Sequence, residues 1–534
     1  MRSSKIQRGQ GRIMQTLTSL VHLLVTVFML FLPSQSAAMR EMEAAGDLDT
    51  AFGVGGKVTT DFFGNPSFAD AIVIQADGKI VAAGGTVRAS SNVDFALSRY
   101  NADGSLDGTF SSTGKTTTDF FGYRDQAYSV GIQADGKIVA AGRAQTGSSY
   151  KTSDFALARY NMDGSLDAGF GSSGLVTTDF FGDEDLVTSL SIQMDGKIVA
   201  VGFANGPTTR FALARYNSDG SLDGSFGSGG KVTTNAGTVA LAIQSDHKIV
   251  TAGGTTNFEL ARYNTDGSLD SGFGVGGKVA DNFFGPPDSA NAIVIQPDGK
   301  IVAAGLVRGS PNPFENFGLA RYNADGSLDR GFGESGVAST DFGDDGIKSI
   351  AIQSDGKIVA VGSSLGMARF AMARYNSDGS IDTSFGFAGK VTTSFGTGGA
   401  ARAVAIQADD KIVVSGLAGA YDFALARYLS GAATQPDFAL FFEPDVVGAQ
   451  PGTKTRITVK INRTGGFTGS VTVTPPDPAM GIKPKPAGPI TTSDNSASFK
   501  LKIRPSVTDT HLLTFTGRDD SGRVRTATLT LIIQ

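Results

Sequence analysis

The sequence predicts an all-β protein, in which a seven-bladed β-propeller is followed by an immunoglobulin-like β-sandwich. The chain has 71 glycines among its 534 residues, with short β-branched and aromatic runs between them. This composition favours strands joined by tight turns. One phrase recurs seven times, and a different alternating pattern follows the last copy. No stretch after residue 40 shows helical periodicity.

The recurring phrase is "IQ-x-D-G-K-I-V", with "DHK" in the fourth copy and "DDK" in the seventh. Successive copies are 51 to 60 residues apart and begin at Ile74, Ile132, Ile192, Ile243, Ile295, Ile352 and Ile406. Each copy has four β-like segments, which in the first repeat are "GKVTTDFF", "ADAIVIQ", "KIVAAG" and "DFALSRY". Four short strands per unit predict four-stranded blades around an axis. A β-solenoid is the alternative, although its coils usually need shorter units.

The two ends of the repeat region predict how the ring closes. The segment Gly46–Gly64 supplies the last part of a repeat before any first part has appeared, and the seventh copy stops at Tyr428. We expect the N-terminal strand to complete the seventh blade, which would remove two sheet edges. One self-contained blade per repeat from Gly46 onward fits the strand count equally well.

Loop lengths separate two faces of the predicted propeller. The turns "Q-x-DGK" and "YN-x-DGSLD" keep their length, and all variation falls after "FFG" and after "AAG". Alternate loops of a meander share a face, so the variable loops form one face, which is the predicted binding surface. The alternative is neutral drift in exposed loops. The longest variable loops are Arg143–Asp154 and Leu306–Phe317.

The turn "RYNSDGSLD" has the side chains of a calcium loop but not its order. When it is aligned on Asp219 and Gly220, the first ligand position falls on the cation Arg215. We therefore predict a structural turn, in which Asn and Asp cap backbone amides two residues on and Gly is left-handed. A looser calcium set stays open: Asn217, Asp219, Ser221 and Asp223.

The turn "QADGK" (Gln75–Lys79) is predicted as a tight hairpin with positive φ at both Asp and Gly. His247 replaces that Gly in the fourth copy, which predicts a strained turn. We also hypothesise an ion pair in each repeat, such as Arg215 with Asp223, because their spacing is fixed. The "FG" phenylalanines are predicted to pack between blades: Phe52, Phe170, Phe226, Phe273, Phe332 and Phe385.

The unit "YN-x-DGSLD-x-x-FG-x-x-GKV" with "IQ-x-DGKIV-x-AG" resembles the delta-60 repeat of secreted and surface bacterial proteins over residues 46–428. The resemblance implies a propeller-like extracellular module without assigned chemistry. A weaker likeness to the integrin-type FG-GAP propeller would imply calcium loops, but the arginine noted above opposes them.

The remaining segments predict export and a second domain. Arg2, Lys5, Arg8 and Arg12 precede the apolar run Leu17–Leu32, so we expect residues 1–38 to be a cleaved signal peptide. An uncleaved membrane anchor is the alternative. Residues 429–436 are a predicted linker. Residues 437–534 alternate as an immunoglobulin-like sandwich does and resemble the Ig-like domains of bacterial secreted enzymes and adhesins, with a spacer role.

These observations predict a secreted or cell-surface binding or scaffolding protein that is not an enzyme. The chain has no cysteine and three histidines, and no nucleophile, metalloprotease or nucleotide motif appears. We predict no catalytic, cofactor-binding or metal residues, a monomer, and an extracellular ligand that is a glycan, peptide or surface component. A net charge of −5 argues against nucleic acid. The alternatives are a polysaccharide hydrolase or lyase, using acids such as those of "GDEDL" (Gly182) or "FGDDG" (Phe342), and a calcium-stabilised adhesion propeller.

Overall fold

The computed structural model describes most of the chain after residue 43. The described residues are 44–88, 92–149, 151–206, 210–237, 239–283, 285, 287–308, 315–343, 346–364, 369–396, 398–419, 422–431, 437–442, 446–464, 469–476, 481–494, 496–519 and 524–533. The predicted signal peptide lies outside them, as do residues 432–436 of the predicted linker.

The repeat region forms four-stranded antiparallel sheets, in which the strands pair in chain order except in the last sheet, whose fourth strand comes from the start of the repeat region. In the described residues there are seven of them, here called sheets 1 to 7. Sheet 7 includes the first strand of the chain, β1 (Lys57–Thr60). Sheet 1 is β2 (Ser67–Ile74), β3 (Ile80–Val87), β4 (Val93–Tyr100) and β5 (Lys115–Thr118); sheet 2 is β6 (Asp125–Ile132), β7 (Ile138–Gln145), β8 (Ser153–Tyr160) and β9 (Leu175–Thr178); sheet 3 is β10 (Asp185–Ile192), β11 (Ile198–Ala204), β12 (Arg210–Tyr216) and β13 (Lys231–Thr234); sheet 4 is β14 (Ala240–Ile243), β15 (Ile249–Gly253), β16 (Phe258–Tyr263) and β17 (Lys278–Asp281); sheet 5 is β18 (Ser289–Ile295), β19 (Ile301–Arg308), β20 (Glu315–Tyr322) and β21 (Val337–Thr340); sheet 6 is β22 (Ile347–Ile352), β23 (Ile358–Ser364), β24 (Arg369–Tyr375) and β25 (Lys390–Thr393); sheet 7 is β26 (Gly399–Ile406), β27 (Ile412–Ala418), β28 (Asp422–Tyr428) and β1.

The first strand of each repeat lies on the inside of a ring. Strand β2 contacts β6 and β26, and the contacts continue from β6 through β10, β14, β18 and β22 to β26. We call these seven the inner strands. Because the strands alternate in direction across each sheet, the fixed-length turns share one end of the ring, the constant end. The variable loops share the other, the variable end.

The N-terminal strand closes the ring, as expected. Strand β1 pairs antiparallel with β28, from Lys57 opposite Ala426 to Thr60 opposite Phe423. The alternative of one self-contained sheet per repeat is therefore wrong. The pairing continues beyond the strands, since the amide of Gly46 donates to the carbonyl of Leu429 at 2.8 Å.

The hydrophobic core is divided into layers between neighbouring sheets. One layer, for example, joins Phe155 and Leu157 of sheet 2 to Ile198 and Ala200 of sheet 3. In each of sheets 1 to 7, the third strand ends at a buried tyrosine. The hydroxyl of Tyr216 bonds Thr178 of the preceding sheet at 2.9 Å. Apolar packing and these bonds hold adjacent sheets together.

The "QADGK" turn differs from the predicted hairpin. Gly78 has φ 83°, but Asp77 does not have positive φ. The amide of Gly78 donates to the carbonyl of Gln75 at 2.9 Å. The amide of Gln75 donates to the carbonyl of Lys79 at 2.8 Å. This is a three-residue loop, a type I turn followed by a left-handed residue. The predicted positive φ at Asp was wrong, because this loop needs only one left-handed position.

The C-terminal region forms two sheets that share one core. The first contains β29 (Asp437–Phe442), β31 (Lys454–Thr464), β33 (Ile482–Lys485) and β35 (Ser496–Ile503); the second contains β30 (Val446–Ala449), β32 (Val471–Thr474), β34 (Ile490–Thr492), β36 (Asp509–Asp519) and β37 (Val524–Ile533). Burial alternates along β35 as its sequence predicts. The rings of Phe499 and Phe515, one from each sheet, are 5.3 Å apart.

The prediction of an all-β chain is confirmed for the described residues, which contain no α-helix. Within the same residues, no helix has the length and apolar character needed to cross a membrane.

Candidate functional site

Most inner strands contain a β-bulge near their start. In six of the seven, the pairing with the second strand shifts by one residue. A bulge leaves one residue unpaired and re-aims its side chain. In the fourth sheet the shorter strand β14 starts at Ala240 without a shift. The six bulge residues are Asp70, Tyr128, Thr188, Asn291, Lys348 and Arg402.

A glycine in the second strand makes room for each bulge. A Cβ on Gly84 would lie 1.8 Å from the carbonyl oxygen of Phe68, and one on Gly202 would lie 2.0 Å from that of Leu186. No side chain fits at such distances. This is the glycine of "KIVAAG", and it faces the inner strand at the same place in every bulged sheet: Gly84, Gly142, Gly202, Gly305, Gly362 and Gly416.

The bulge residues line a channel on the axis of the ring. All seven inner strands contribute to its wall, which encloses a cavity of about 210 Å³. Val239 of the fourth repeat lines the same wall. The scaffold residues repeat from sheet to sheet, whereas the bulge position holds an acid, a phenol, a hydroxyl, an amide and two cations. A repetitive scaffold therefore presents one non-repetitive ring of side chains.

Charge in the channel centres on Asp70 and Arg402. Nε2 of Gln126 donates to Oδ2 of Asp70 at 2.8 Å, and Nε of Arg402 lies 4.0 Å from Oδ1. Burial raises the pKa of Asp70 to about 6, although the Gln126 bond and the Arg402 charge lower it. Nε of Arg402 is buried without a hydrogen-bond partner. A buried donor without an acceptor is costly, so this atom marks a place where an acceptor from outside the chain would be stabilised.

Hydrogen bonds between neighbouring inner strands fix the ring. Nδ2 of Asn291 donates to the carbonyl of Ile347 at 2.9 Å, and Oγ of Ser129 accepts from the amide of Leu190 at 3.0 Å. Burial raises the pKa of the Tyr128 hydroxyl, which keeps it a neutral donor. The polar side chains that line the channel are therefore held in place by hydrogen bonds within the ring.

The channel residues lie nearer the variable end, because each inner strand starts there and the bulge comes early in the strand. Exposed aromatic rings stand at the same end, in the loops that lead to the inner strands. Phe63, Phe121 and Phe181 are 60%, 49% and 40% exposed. The guanidinium of Arg88 lies 4.5 Å from the centre of the Phe63 ring.

The hypothesised Arg-to-Asp pair is confirmed, at the constant end. Nε of Arg215 donates to Oδ2 of Asp223 at 2.7 Å, and both side chains are buried. Nζ of Lys197 lies 3.1 Å from the same oxygen. The pair recurs at 2.7 to 2.8 Å as Arg99–Asp107, Arg159–Asp167, Arg262–Asp270, Arg321–Asp329, Arg374–Asp382 and Arg427–Asp49.

The same arginine links adjacent repeats. NH1 of Arg215 donates to the carbonyl of Thr265 in the next repeat at 2.5 Å, and its guanidinium lies 4.6 Å from the centre of the Phe226 ring. Phe226 packs against Gly267 of the next repeat. The predicted packing of the "FG" rings between repeats is confirmed. Phe110 takes the same place in the first repeat, and it was missed because Ser rather than Gly follows it.

The "YNSDGSLD" turn is held by its own side chains, as predicted. Oδ1 of Asp219 accepts from the amide of Ser221 at 2.9 Å and from its hydroxyl at 2.6 Å. Nδ2 of Asn217 donates to the same hydroxyl oxygen at 3.0 Å, and Gly220 has φ 88°. The side chains of the looser calcium set thus bond one another or Arg215.

The structure describes some of the acids considered for catalysis and leaves others outside the described residues. In "GDEDL", Glu184 pairs with NH1 of Arg143 at 2.9 Å, and Asp185 is fully buried. The two aspartates of "FGDDG" lie outside the described residues, as do residues 309–314 of the second long loop.

His247 takes a positive φ of 65°, as its position predicted.

The bulge ring was missed by the sequence analysis. The signal was present: the repeated "AAG" glycine and a varying residue four positions before the Ile of each "IQ-x-D" phrase, as in "ADAIVIQ" and "IKSIAIQ". Alternation alone does not reveal a bulge, because the extra residue changes the side-chain phase within the strand.

Six segments of the chain match a family model described as "Domain of unknown function (DUF5122) beta-propeller": residues 75–110, 133–170, 193–226, 244–273, 296–332 and 353–385. Together with the repeated four-stranded sheets, these matches establish a β-propeller scaffold. Each match begins at the turn after an inner strand and ends at the phenylalanine whose ring contacts the guanidinium of the Arg–Asp pair, such as Phe226 with Arg215. No curated protein matches the chain.

The chain is also similar to several solved structures, including the following two. One is a subtype N10 neuraminidase-like protein of A/little yellow-shouldered bat/Guatemala/060/2010, with 9% identity, a TM-score of 0.35, and coverage of 71% of this chain and 99% of the other. The second is a hypothetical protein from Leishmania major, with 12% identity, a TM-score of 0.26, and coverage of 45% and 82%.

Proposed function

We propose that the chain is a non-catalytic binding or scaffolding protein whose ligand enters from the variable end and is held by the bulge residues of the axial channel. One observation carries this proposal. Six bulge residues of different chemistry project into one channel from strands that are otherwise repeats of each other. Packing alone would be served by the same residue in every repeat, whereas recognition requires different groups at defined places.

The ligand chemistry follows from the ring. Arg402 and Lys348 supply cationic donors, Asp70 an acid, and Tyr128 and Asn291 neutral polar groups. The Nε of Arg402 lies 4.0 Å from Oδ1 of Asp70 but has no hydrogen-bond acceptor, and an accepting group of the ligand would supply one. The exposed rings at the variable end suit the apolar faces of sugars or side chains. We therefore propose an extracellular glycan or peptide whose inserted part carries an anionic or strongly accepting group.

The surrounding architecture completes the proposal. We infer that the seven sheets are the blades of one propeller built from delta-60 repeats. We also infer that the C-terminal pair of sheets is an immunoglobulin-like spacer, and that a signal peptide exports the chain to the cell surface or medium as a monomer. Detection of the mature chain in the culture medium or on the cell surface, with a new N-terminus near Ala38, tests the export.

An array of glycans and peptides tests the binding. The full chain should bind a restricted set of acidic or acceptor-rich probes, and Arg402→Gln should lose that binding. The control Arg504→Gln removes an exposed arginine that follows β35 in the C-terminal region and should bind normally. Equal binding by Arg402→Gln and the wild type would refute the channel. Release of reducing sugar from a polysaccharide panel would refute the non-catalytic role.

A further inference from the structure

Three carboxylates from different strands meet at the variable end between sheets 2 and 3. Asp154 lies in β8, Asp179 follows β9, and Asp185 begins β10. One ligand oxygen from each lies within 4.8 Å of the other two. Among the residues that the structure describes, no other group of three His, Cys, Asp or Glu side chains is this close.

The preceding repeat has aspartates at the same three positions, but there an arginine compensates them. Nε of Arg88 lies 3.3 Å from Oδ2 of Asp94, the counterpart of Asp154. Thr146 stands where Arg88 would be in the second repeat. In the described part of the chain, no Lys or Arg forms an ion pair with Asp154.

The cations near the cluster are engaged elsewhere. Nζ of Lys231 donates to the main-chain carbonyl of Asp179 at 3.1 Å, not to its carboxylate. This bond is a feature of the fold, since Lys115 makes the same contact with Asp61 in another repeat at 2.8 Å. Arg143 pairs with Glu184. The three carboxylates therefore lack a compensating side-chain charge among the described residues.

Asp185 supplies an independent sign of a missing ligand. Its side chain is 0% exposed, and although Oδ2 accepts from the amide of Phe180 at 2.7 Å, Oδ1 has no hydrogen-bond partner. In the preceding repeat both oxygens of Asp125 are satisfied, with Oδ1 accepting from the amide of Gln145 at 3.2 Å. The counterpart amides bond the preceding carbonyl in the same way in both repeats, since Asn205 bonds that of Glu184 and Gln145 bonds that of Arg124, each at 3.0 Å. Only the Gln145 amide also lies within hydrogen-bond distance of the aspartate Oδ1.

We propose that Asp154, Asp179 and Asp185 bind a calcium ion. Calcium takes oxygen ligands at about 2.3–2.6 Å, so carboxylate oxygens less than about 5 Å apart can share one ion. The exposed side of Asp179 leaves room for water to complete the coordination. Calcium fits better than magnesium, which demands near-ideal octahedral geometry and dehydrates reluctantly.

The electrostatics agree with this geometry. Burial, and after it the charges of Asp179 and Asp154, raise the pKa of Asp185 to about 7, although the Phe180 amide and, more weakly, the nearby Asn205 amide lower it. A bound cation reverses both effects, because it solvates the buried carboxylate and screens the mutual repulsion. The ion would tie β8 to β10, and thereby sheet 2 to sheet 3, beside the long loop Arg143–Asp154. The site is at the opposite end of the ring from the "YNSDGSLD" turns.

Thermal melting of the chelator-stripped full chain tests the proposal. Calcium should raise the melting temperature of the wild type, with half of the shift reached at about 10⁻⁴–10⁻³ M as in extracellular modules. Asp154→Asn should show no shift. The control Asp94→Asn changes the corresponding residue of the preceding repeat and should keep the full shift.

Several results would overturn the assignment. One such result is the absence of a calcium shift in the wild type. Another is a shift that persists in Asp154→Asn, which would place the bound ion elsewhere, such as in the constant-end turns. An equal shift with magnesium would overturn the preference for calcium. Asp185→Asn gives a second readout: without calcium it should melt above the wild type at pH 8, because a buried charge is removed, and it should not respond to calcium. Asp154 is only partly buried, so its variant tests the site even if Asp185→Asn fails to fold.

Discussion

The side chains of Arg427 and Asp49 form a buried ion pair, with Nε and Oδ2 2.8 Å apart, although 378 residues separate them in the sequence. Arg427 also donates to the carbonyl of Ala102 in the repeat of sheet 1. The pair therefore joins the segment that leads into β1 to β28 and, through the same guanidinium, sheet 7 to sheet 1. It is the one member of the repeated Arg–Asp series whose two residues come from opposite ends of the repeat region in the sequence.

Asp49→Asn is expected to destabilise the protein and to release its N-terminal segment. Breaking a buried pair costs about 3–5 kcal/mol, because the remaining charge is left uncompensated. The melting temperature should fall, and limited proteolysis should cut within residues 46–60. Asp223→Asn breaks the equivalent pair inside the continuous chain, so it should lower the melting temperature without exposing the N-terminal segment. An unchanged melting temperature in both variants would show that these pairs do not hold the repeats together.

Acid is expected to destabilise the propeller below pH 4. The lysine hydrogen bond, ahead of the arginine, holds the pKa of Asp167, Asp270 and Asp329 at about 2, against an ordinary value of 3.8. The unfolded chain therefore takes up protons first, and stability falls as the pH drops from 3.8 towards 2. The pKa values of Asp125 and Asp185 are raised to about 7. These two groups therefore lower the stability as the pH rises from 3.8 towards 7, which is opposite in direction and above the acid window. Melting curves across the acid window check the prediction, and Lys137→Met should make the acid-induced loss smaller, because the pKa of Asp167 in the folded protein moves back towards 3.8.

His247→Gly is expected to stabilise the protein slightly. The positive φ of 65° at His247 costs a non-glycine residue about 1–2 kcal/mol, against about 0.4–1 kcal/mol for the added freedom of glycine in the unfolded chain. The comparison is Asp410→Gly, at the same turn position with φ 62°. Asp410 accepts from the amide of Ser354 at 2.9 Å, so removing its side chain should cost stability. Chemical denaturation of both variants distinguishes strain from side-chain bonding.

Gly202→Ala is expected to damage the bulge of sheet 3. The added Cβ would meet the carbonyl oxygen of Leu186 at 2.0 Å, and such overpacking costs about 1–3 kcal/mol or more. Gly224→Ala is the matched control, because nothing lies within 4 Å of its Cβ and its φ is not positive. A large fall in the free energy of unfolding for the first variant alone agrees with the prediction. Equal effects would mean that the strands move apart without cost.

Local patterns predicted the parts of the fold that every repeat shares. The four strands, the closure by β1 and the Arg215–Asp223 pair each follow from residues at fixed spacing, because a fixed spacing places the same side chains in the same contact seven times. The φ values of the "QADGK" turn were predicted wrongly. Asp-Gly suits both a two-residue and a three-residue hairpin loop, and the hydrogen bond from Gln75 to Lys79 decides between them.

The candidate sites were harder to predict, since they depend on departures from the repeat. Asp70 and Arg402 come from the first and last inner strands and meet only when the ring is closed. Asp154, Asp179 and Asp185 come from three segments; the sequence analysis placed Asp154 at the end of a variable loop and considered Asp185 only as a catalytic acid of "GDEDL". The lack of an ion-pair partner for Asp154 is recognised only by comparison with the preceding repeat, in which Arg88 pairs with the corresponding Asp94.

The pairing of β1 with β28 also determines the order in which this protein can be completed. Ribosomes make β1 first and its partner strand last, so β1 waits unpaired while the six intervening sheets form from neighbouring hairpins. Those local steps are fast, whereas the final one joins segments with the longest sequence separation in the ring. A chain stopped before β28 would carry two open strand edges, and the closing strand is therefore where folding succeeds or aggregation begins.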